Sequence, residues 1–148
     1  MKLIYDIEEK DLEECAELFV KTFNEEPWNE KWTVKKAGKR LSDAYNSPEF
    51  KGFVYSENEK IYGAILGNKE QWYDGEHFYI KEFFIDSNIQ GKGIGKKLLL
   101  HLEKCLEKEG VSLIHFWTLK GDIAEKFYRK MGYEIPEELT LMNKSFKL

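Results

Sequence analysis

Several features that are common in proteins are scarce in this sequence of 148 residues. It has 2 cysteines, Cys15 and Cys105, and both lie on apolar faces of predicted helices, where a free thiol is typical. Its 3 prolines and 11 glycines are too few for a collagen-like or low-complexity chain. No apolar run approaches the roughly 20 residues that a membrane-spanning helix needs. We therefore expect one globular domain over residues 1–148, with no disulfide and no membrane partner.

An excess of positive charge is also lacking. Lysine and arginine total 23 against 27 aspartate and glutamate residues, and the net charge of −4 opposes nucleic-acid binding. The histidines, His77, His101 and His115, stand apart, and no cysteine or histidine pair has the spacing of metal ligands, so no metal is expected. The N-terminus has no long apolar stretch of the secretory type, so the expected location is the cytoplasm.

The sequence does contain a regular succession of apolar patterns. Alternating apolar residues predict strands, and helical spacing predicts helices, in the order β-α-α-β-β-β-α-β-α-β. The three strands in the middle are expected to form an antiparallel meander. A fifth strand is expected over residues 111–118 and a last one over residues 139–146. These elements predict an α+β, or mixed α/β, domain built on a single sheet.

A glycine-rich segment, Gln90–Gly95, joins a predicted strand to a predicted helix. Such a turn lets consecutive backbone N–H groups and a helix N-terminus face an anion. The segment is not a P-loop, because the Lys-Ser or Lys-Thr pair is missing at the required positions. It is not a dinucleotide-binding fingerprint either, because position 96 is not glycine. What remains is the pattern Gln-x-x-Gly-x-Gly after a strand.

Two motifs occur in order along the chain. The first is the strand Phe83–Asp86 with the segment Gln90–Gly95, and the second is Ala-x-x-x-Tyr-x-x-x-Gly-Tyr over Ala124–Tyr133. With these motifs the sequence resembles the GNAT superfamily of acyl-CoA-dependent N-acyltransferases over nearly its whole length. The resemblance implies a mostly antiparallel central sheet that is splayed between strands 4 and 5 and flanked by about four helices. It also implies acetyl-CoA as cosubstrate, no metal, and direct attack by a primary amine in a ternary complex.

The same resemblance assigns the cofactor contacts to the end of the fourth strand and the glycine-rich segment. The residues it implies are Phe83, Phe84, Ile85, Ile89, Gln90, Gly91, Lys92, Gly93, Ile94, Gly95 and Lys96. Backbone N–H groups of the segment would hold the pyrophosphate, and the strand backbone would pair with the pantetheine arm. Lys92, Lys96 and Lys97 are available for the 3′-phosphate, or they form a solvated face opposite the leucines of the helix.

Two residues are candidates for proton transfer. Tyr128 stands where many members of the family have the tyrosine that protonates the departing CoA thiolate, and its alternative role is that of a core aromatic beside Phe127. Glu82 lies in an otherwise apolar strand, where burial would raise the pKa of its carboxyl toward a value that suits a general base. Its alternative role is an ordinary ion pair with Lys81 or another neighbour.

Acidic and aromatic residues surround the expected acceptor position. The candidates for acceptor binding are Glu25, Glu26, Trp28, Trp32 and Trp72. Their combination suits a small cationic amine through charge pairing and cation–π contact, a pattern similar to bacterial aminoglycoside and polyamine acetyltransferases. In the alternative, the tryptophans only pack the loop. A protein amine as acceptor and a non-catalytic acyl-CoA sensor or interaction module stay open, as does the choice between a monomer and a homodimer.

Overall fold

The computed structural model describes all residues from 1 to 148, as one compact unit over residues 1–115 and a second over residues 116–148. The first unit holds a five-stranded sheet and three α-helices, and the second holds one α-helix. The elements are β1 (Lys2–Asp6), α1 (Leu12–Asn24), α2 (Val34–Tyr45), β2 (Phe50–Glu57), β3 (Lys60–Trp72), β4 (Gly75–Ile85), α3 (Ile94–Lys108), β5 (Leu113–His115) and α4 (Ile123–Lys130). A single domain over 1–148 stays a prediction.

The five strands follow one another across the sheet in the order β1-β2-β3-β4-β5. The first three neighbouring pairs are antiparallel, and β4 and β5 are parallel. The parallel pairing covers only His77–Tyr79 on β4, so β5 no longer accompanies β4 beyond Tyr79. The predicted α+β fold, with a mostly antiparallel sheet that opens between strands 4 and 5, is therefore confirmed.

Helices cover both faces of this sheet. On one face, the apolar stripes of α1 and α2 pack in one cluster with sheet residues, as shown by Phe19, Leu41 and Val54. The preceding residue of β2, Phe53, points to the opposite face because side chains alternate along a strand. There its ring lies 4.5 Å from the ring of His101 on α3. None of the helices combines the length and the apolar character that a membrane span requires.

A β-bulge interrupts the regular pairing of β3 with β4. Leu66 pairs with Glu82 and Gly67 pairs with Ile80, so Lys81 is an extra residue on β4. A Cβ at position 67 would lie 1.9 Å from the carbonyl oxygen of Tyr79, which explains why glycine stands there. Because of the extra residue, Tyr79 and Glu82 face the same side of the sheet although three positions separate them.

The second unit is built around aromatic contacts. The Tyr128 ring on α4 lies 4.2 Å from Phe116 and 5.9 Å from Tyr133, measured between ring centroids. Asp122 caps the helix by accepting a hydrogen bond from the N–H of Ile123 at 2.7 Å. These contacts hold α4 and the turn after it in one cluster.

The structure corrects two of the predicted strands. The fifth strand is shorter than predicted, because only Leu113–His115 pair with β4. The last strand, predicted over residues 139–146, is wrong, because that segment has no regular secondary structure. Its apolar residues, including Leu141 and Phe146, are exposed. Alternation of apolar residues does not by itself supply the neighbouring backbone with which a strand must pair.

Candidate active site

The glycine-rich segment forms an exposed turn that leads into α3. Gly91 has φ 86° and Gly93, the residue before the helix, has φ 77°. A Cβ at either position would have no atom of the chain within 4 Å, so the backbone conformation, and not internal crowding, favours glycine here. The N–H groups of residues 91–96 donate to no loop or side-chain acceptor. They are therefore available to an anion at the N-terminus of α3.

An ion pair with α1 fixes the start of this turn. Asp86, which is 2% exposed, accepts hydrogen bonds from the N–H of Asn88 at 2.9 Å and from the ammonium of Lys21 at 3.0 Å. Burial by itself would raise the pKa of Asp86, but these two donors hold it below its usual value. The side chain of Gln90 donates to the carbonyl of Ile85 at 3.2 Å. The turn thus has a defined position at the end of β4.

Glu82 lies on β4, three residues before that end, and its carboxyl is largely buried. The Nε of Arg40 on α2 donates to its Oε1. Burial raises the pKa of the Glu82 carboxyl, and Arg40 opposes the rise through its charge and hydrogen bond. The net direction is upward. The prediction that Glu82 lies in a desolvated position is confirmed. The alternative of an ion pair is met as well, with Arg40 in place of Lys81, so the base role stays a prediction.

A cavity of about 470 Å³ opens beside Glu82, between α2 and β4. Aromatic rings and charged side chains line most of it, and they are Trp32, Tyr79, Lys36, Lys39, Arg40, Asp43, Lys81 and Glu82. This volume lies within the range of small-molecule sites in proteins, which is about 300–1,000 Å³. The cavity can therefore admit a small acceptor next to the Glu82 carboxyl.

Of the five residues predicted for acceptor binding, the structure brings only Trp32 to this cavity. The carboxylate of Glu25 accepts a hydrogen bond from the hydroxyl of Ser87 at 2.9 Å, so it faces the turn after β4. Glu26 is exposed. The ring of Trp28 packs edge-on against Phe23, at 5.3 Å between centroids.

Trp72 lies at the far end of the β3–β4 hairpin, four positions along the strand from the residue that pairs with Tyr79. That separation is about 13 Å at the usual rise per strand residue. Its ring stacks on His77 at 5.0 Å. Four of the five residues that the sequence suggested for the acceptor therefore do not line this cavity.

The residues that the sequence analysis missed come from α2 and from the bulge. Lys36 and Arg40 are four positions apart, so they lie on one face of α2, beside the buried stripe of Ala37 and Leu41. This i, i+4 pair of cations next to an apolar stripe is a signal that the sequence does contain. Tyr79 and Lys81 line the cavity because of the bulge, for which the sequence offers no comparable signal.

Tyr128 belongs to the second unit. Burial raises the pKa of its phenol well above the ordinary value, so the hydroxyl keeps its proton throughout the neutral range. Its ring contacts are those of a packed aromatic residue. Both readings of the residue, as a proton donor and as a core aromatic, agree with these contacts, so the donor role stays a prediction.

A metal centre is not among the arrangements that the side chains form. No group of three or more His, Cys, Asp or Glu residues has the geometry to hold a metal ion. His77 and His115 each face one carboxylate, Asp74 at 3.0 Å and Glu70 at 3.3 Å.

Comparisons with known proteins agree with this geometry. The model of the acetyltransferase (GNAT) family matches residues 9–133. An uncharacterized N-acetyltransferase of Methanocaldococcus jannaschii is 26% identical over 149 aligned positions, which cover 90% of this chain and 61% of that protein. The chain thus spans less than two thirds of the length of this curated relative.

Among solved structures, a possible acetyltransferase of Clostridium difficile has a TM-score of 0.83 at 17% identity and covers 99% of both chains. An aminoglycoside acetyltransferase from an uncultured soil metagenomic sample, solved with sisomicin, has a TM-score of 0.77 at 23% identity. It covers 99% of this chain and 97% of that one. At these identities the structural likeness shows the fold, and the family model covers well over half of the sequence. The chain therefore belongs to the acetyltransferase (GNAT) family.

Proposed function

We propose that this protein transfers an acetyl group from acetyl-CoA to the primary amine of a small acceptor. The observation that carries the proposal is the position of two features on one strand. β4 bears the buried Glu82 carboxyl beside a cavity, and it ends in the turn that offers its N–H groups to an anion. An acyl donor can place its phosphates at the turn, and an amine that must lose a proton can lie in the cavity. The two reactants can therefore meet along this strand.

The residues present fit acetyl-CoA. The turn Gln90–Gly95 would hold the pyrophosphate through backbone N–H groups, and the exposed Lys92 and Lys96 would reach the 3′-phosphate. Beyond Tyr79, β5 does not pair with β4, so the backbone of residues 83–85 can align an extended pantetheine arm. When bound, acetyl-CoA supplies the acetyl group and a thiolate leaving group.

Glu82 is the proposed general base. Its Oε1 is engaged by Arg40, and this contact leaves its Oε2 able to accept another hydrogen bond. Oε2 can therefore take the proton that the amine loses as its nitrogen bonds to the acetyl carbon and the carbon–sulfur bond breaks. The raised pKa of Glu82 makes it a stronger base than an exposed glutamate.

Tyr128 is the proposed donor of the proton that the sulfur receives. Its raised pKa keeps it protonated, but it also makes the proton harder to give up, so a fixed hydrogen bond must favour the transfer. This role rests on the position of Tyr128 in the family motif.

Two observations on the class of acceptor point in different directions. The sequence suggested a cationic amine, and one structural neighbour is an aminoglycoside acetyltransferase solved with sisomicin. The cavity itself supports a small acceptor, but four of its charged side chains are cationic, Lys36, Lys39, Arg40 and Lys81, and they oppose a polycation. A cytoplasmic location and a homodimer stay predictions.

The test is acceptor-dependent release of CoA. The purified protein is incubated with acetyl-CoA and a panel of small amines, and both free thiol and acetylated amine are measured. Acetylated product that requires the protein, and that falls with Glu82→Gln, supports the proposal. Tight binding of acetyl-CoA without transfer to any amine would instead identify a non-catalytic acyl-CoA sensor.

A further inference from the structure

The charges around the cavity do not cancel. Lys39 pairs with Asp43 at 2.8 Å, and Arg40 pairs with Glu82. Lys36 and Lys81 also line the cavity, and no carboxylate lies within ion-pair distance of either ammonium. The lining therefore has two cationic groups that the chain itself leaves uncompensated. An anionic group on the acceptor is the ligand that would compensate them.

Arg40 has donors to spare beside these lysines. Its contact with Glu82 uses only Nε, so the two terminal nitrogens of the guanidinium remain, and the side chain is 44% exposed. A guanidinium recognises carboxylate and phosphate groups through paired N–H donors. Because the buried Glu82 holds one edge of Arg40, little side-chain entropy is left to lose when the other edge binds an anion.

An acidic residue in the loop before α2 is already engaged by a cavity residue. The carboxylate of Glu30 accepts a hydrogen bond from the indole N–H of Trp32 at 2.7 Å. Glu30 also adds to the rise in the pKa of Glu82, but it is not among the residues that line the cavity. The two carboxylates that do line the cavity, Asp43 and Glu82, are each paired with a cation, and Trp32 and Tyr79 are among its walls.

We infer that the acceptor is an amine that also carries a carboxylate or phosphate a few bonds from its nitrogen. The anionic group would lie against Lys36, Arg40 and Lys81, and the amine would lie at Oε2 of Glu82. The short acceptor carbon chain would pack between Trp32 and Tyr79. This inference rests on the proposed function and names the chemical class of its acceptor, in place of the polyamine or amino sugar that the sequence suggested.

A matched set of probes tests the inference. β-Alanine and 2-aminoethyl phosphate carry an anionic group near the amine. β-Alaninamide has an uncharged amide in place of the carboxylate of β-alanine, and 1,3-diaminopropane has a second cationic amine in that place. The kcat/KM for acetylation is measured for each, and binding is followed separately by ligand-detected NMR. We expect the anionic probes to exceed the amide by about tenfold or more, which corresponds to one charged hydrogen bond. The ratio of the two anionic probes distinguishes carboxylate from phosphate recognition.

Two variants test whether the preference for anionic probes comes from the lysines without an ion-pair partner. Lys36→Met and Lys81→Met should each raise KM for the preferred anionic probe about five- to tenfold, and should leave KM for β-alaninamide unchanged. Lys35→Met is the matched control, because Lys35 is an exposed neighbour on α2 that does not line the cavity. Added salt should raise KM for the anionic probes, because it screens the lysine charges, and should not change KM for the amide.

The outcomes separate this inference from the proposed function. If the kcat/KM for the amide or the diamine equals that for the anionic probes, the inferred acceptor class is wrong and the N-acetyltransferase proposal stands. If no amine is acetylated, NMR binding decides. Binding of the anionic probes that Lys36→Met and Lys81→Met weaken supports the anion site, and equal binding of all four probes overturns it.

Discussion

The turn after β4 and the cavity beside Glu82 offer a ligand two different kinds of contact. The turn presents backbone N–H groups from consecutive residues, with glycine at the two positions of positive φ. The cavity presents side chains from α2, from β4 and from the loop before α2. A surface made of backbone is independent of most side-chain changes, whereas a surface made of side chains changes with each substitution. The difference suits a shared cosubstrate on one side and a particular acceptor on the other.

The substitution expected to disrupt binding at the backbone surface most strongly is Gly93→Val. A β-branched side chain at φ 77° is strained, and it would occupy the space where the anion approaches. Loss of two charged hydrogen bonds predicts a fall in acetyl-CoA affinity of about 10³-fold, measured by calorimetry. Gly110→Val is the matched control, because Gly110 has φ 82° at the other end of α3. Equal losses in both variants would mean that strain alone, and not the turn, explains the effect.

In the side-chain surface, the group that we propose as the base is Glu82. Glu82→Gln keeps the shape and the contact with Arg40 but removes the base, so kcat should fall by about 10²- to 10³-fold with little change in acetyl-CoA affinity. Glu76→Gln, on the same strand and outside the cavity lining, is the control. A kcat within threefold of the parent would move the base role to water or to another residue.

Tyr128→Phe tests whether the second unit takes part in the chemistry. The substitution keeps the ring that contacts Phe116 and deletes only the hydroxyl. General acid catalysis usually raises the rate by at least about 10²-fold. Because the raised pKa of Tyr128 makes it a weak acid, we expect turnover to fall by about this smallest factor. Turnover at saturating substrates is the measurement. A rate within twofold of the parent would show that Tyr128 is a packing residue.

Substitution of Arg40 should have a smaller effect, a shift in the pH dependence of kcat/KM. As the proposed base, Glu82 must be ionised to accept a proton. Because its pKa is raised, we expect activity to be lost, as the pH falls, at a higher pH than with an exposed glutamate. Arg40 lowers this pKa, so Arg40→Leu should move the acidic limb of kcat/KM upward by about 1 pH unit. Arg40→Lys keeps the charge and should move it less. β-Alaninamide is the acceptor for these profiles, because it carries no anionic group.

The backbone surface could be predicted from the sequence, and most of the cavity could not. The turn is local, because Gln90–Gly95 lie together in the chain and their glycines indicate the backbone conformation. Glu82 was predictable as a lone acid in an apolar strand. Arg40 stands 42 positions away from it and meets it only because α2 packs on that face of the sheet.

Plain alternation also misleads on β4. It places Tyr79 and Glu82 on opposite faces, and the bulge at Lys81 reverses that assignment. The predicted residues Glu25, Glu26 and Trp28 do not line the cavity, for a related reason. Nearness in sequence within a loop does not determine which way each side chain points, and Glu25 faces Ser87.

Because Lys81 is an extra residue on β4, it can be deleted without a change in the pairing of the strand. A deletion at a regularly paired position reverses every following side chain of a strand, and such a change rarely survives. Loss of Lys81 would instead leave Ile80 opposite Gly67 and Glu82 opposite Leu66, so the faces of β4 would be preserved. The cavity would lose one cation while the sheet kept its register. The charge of the cavity can therefore change by one unit at this point without any change in the faces of the sheet.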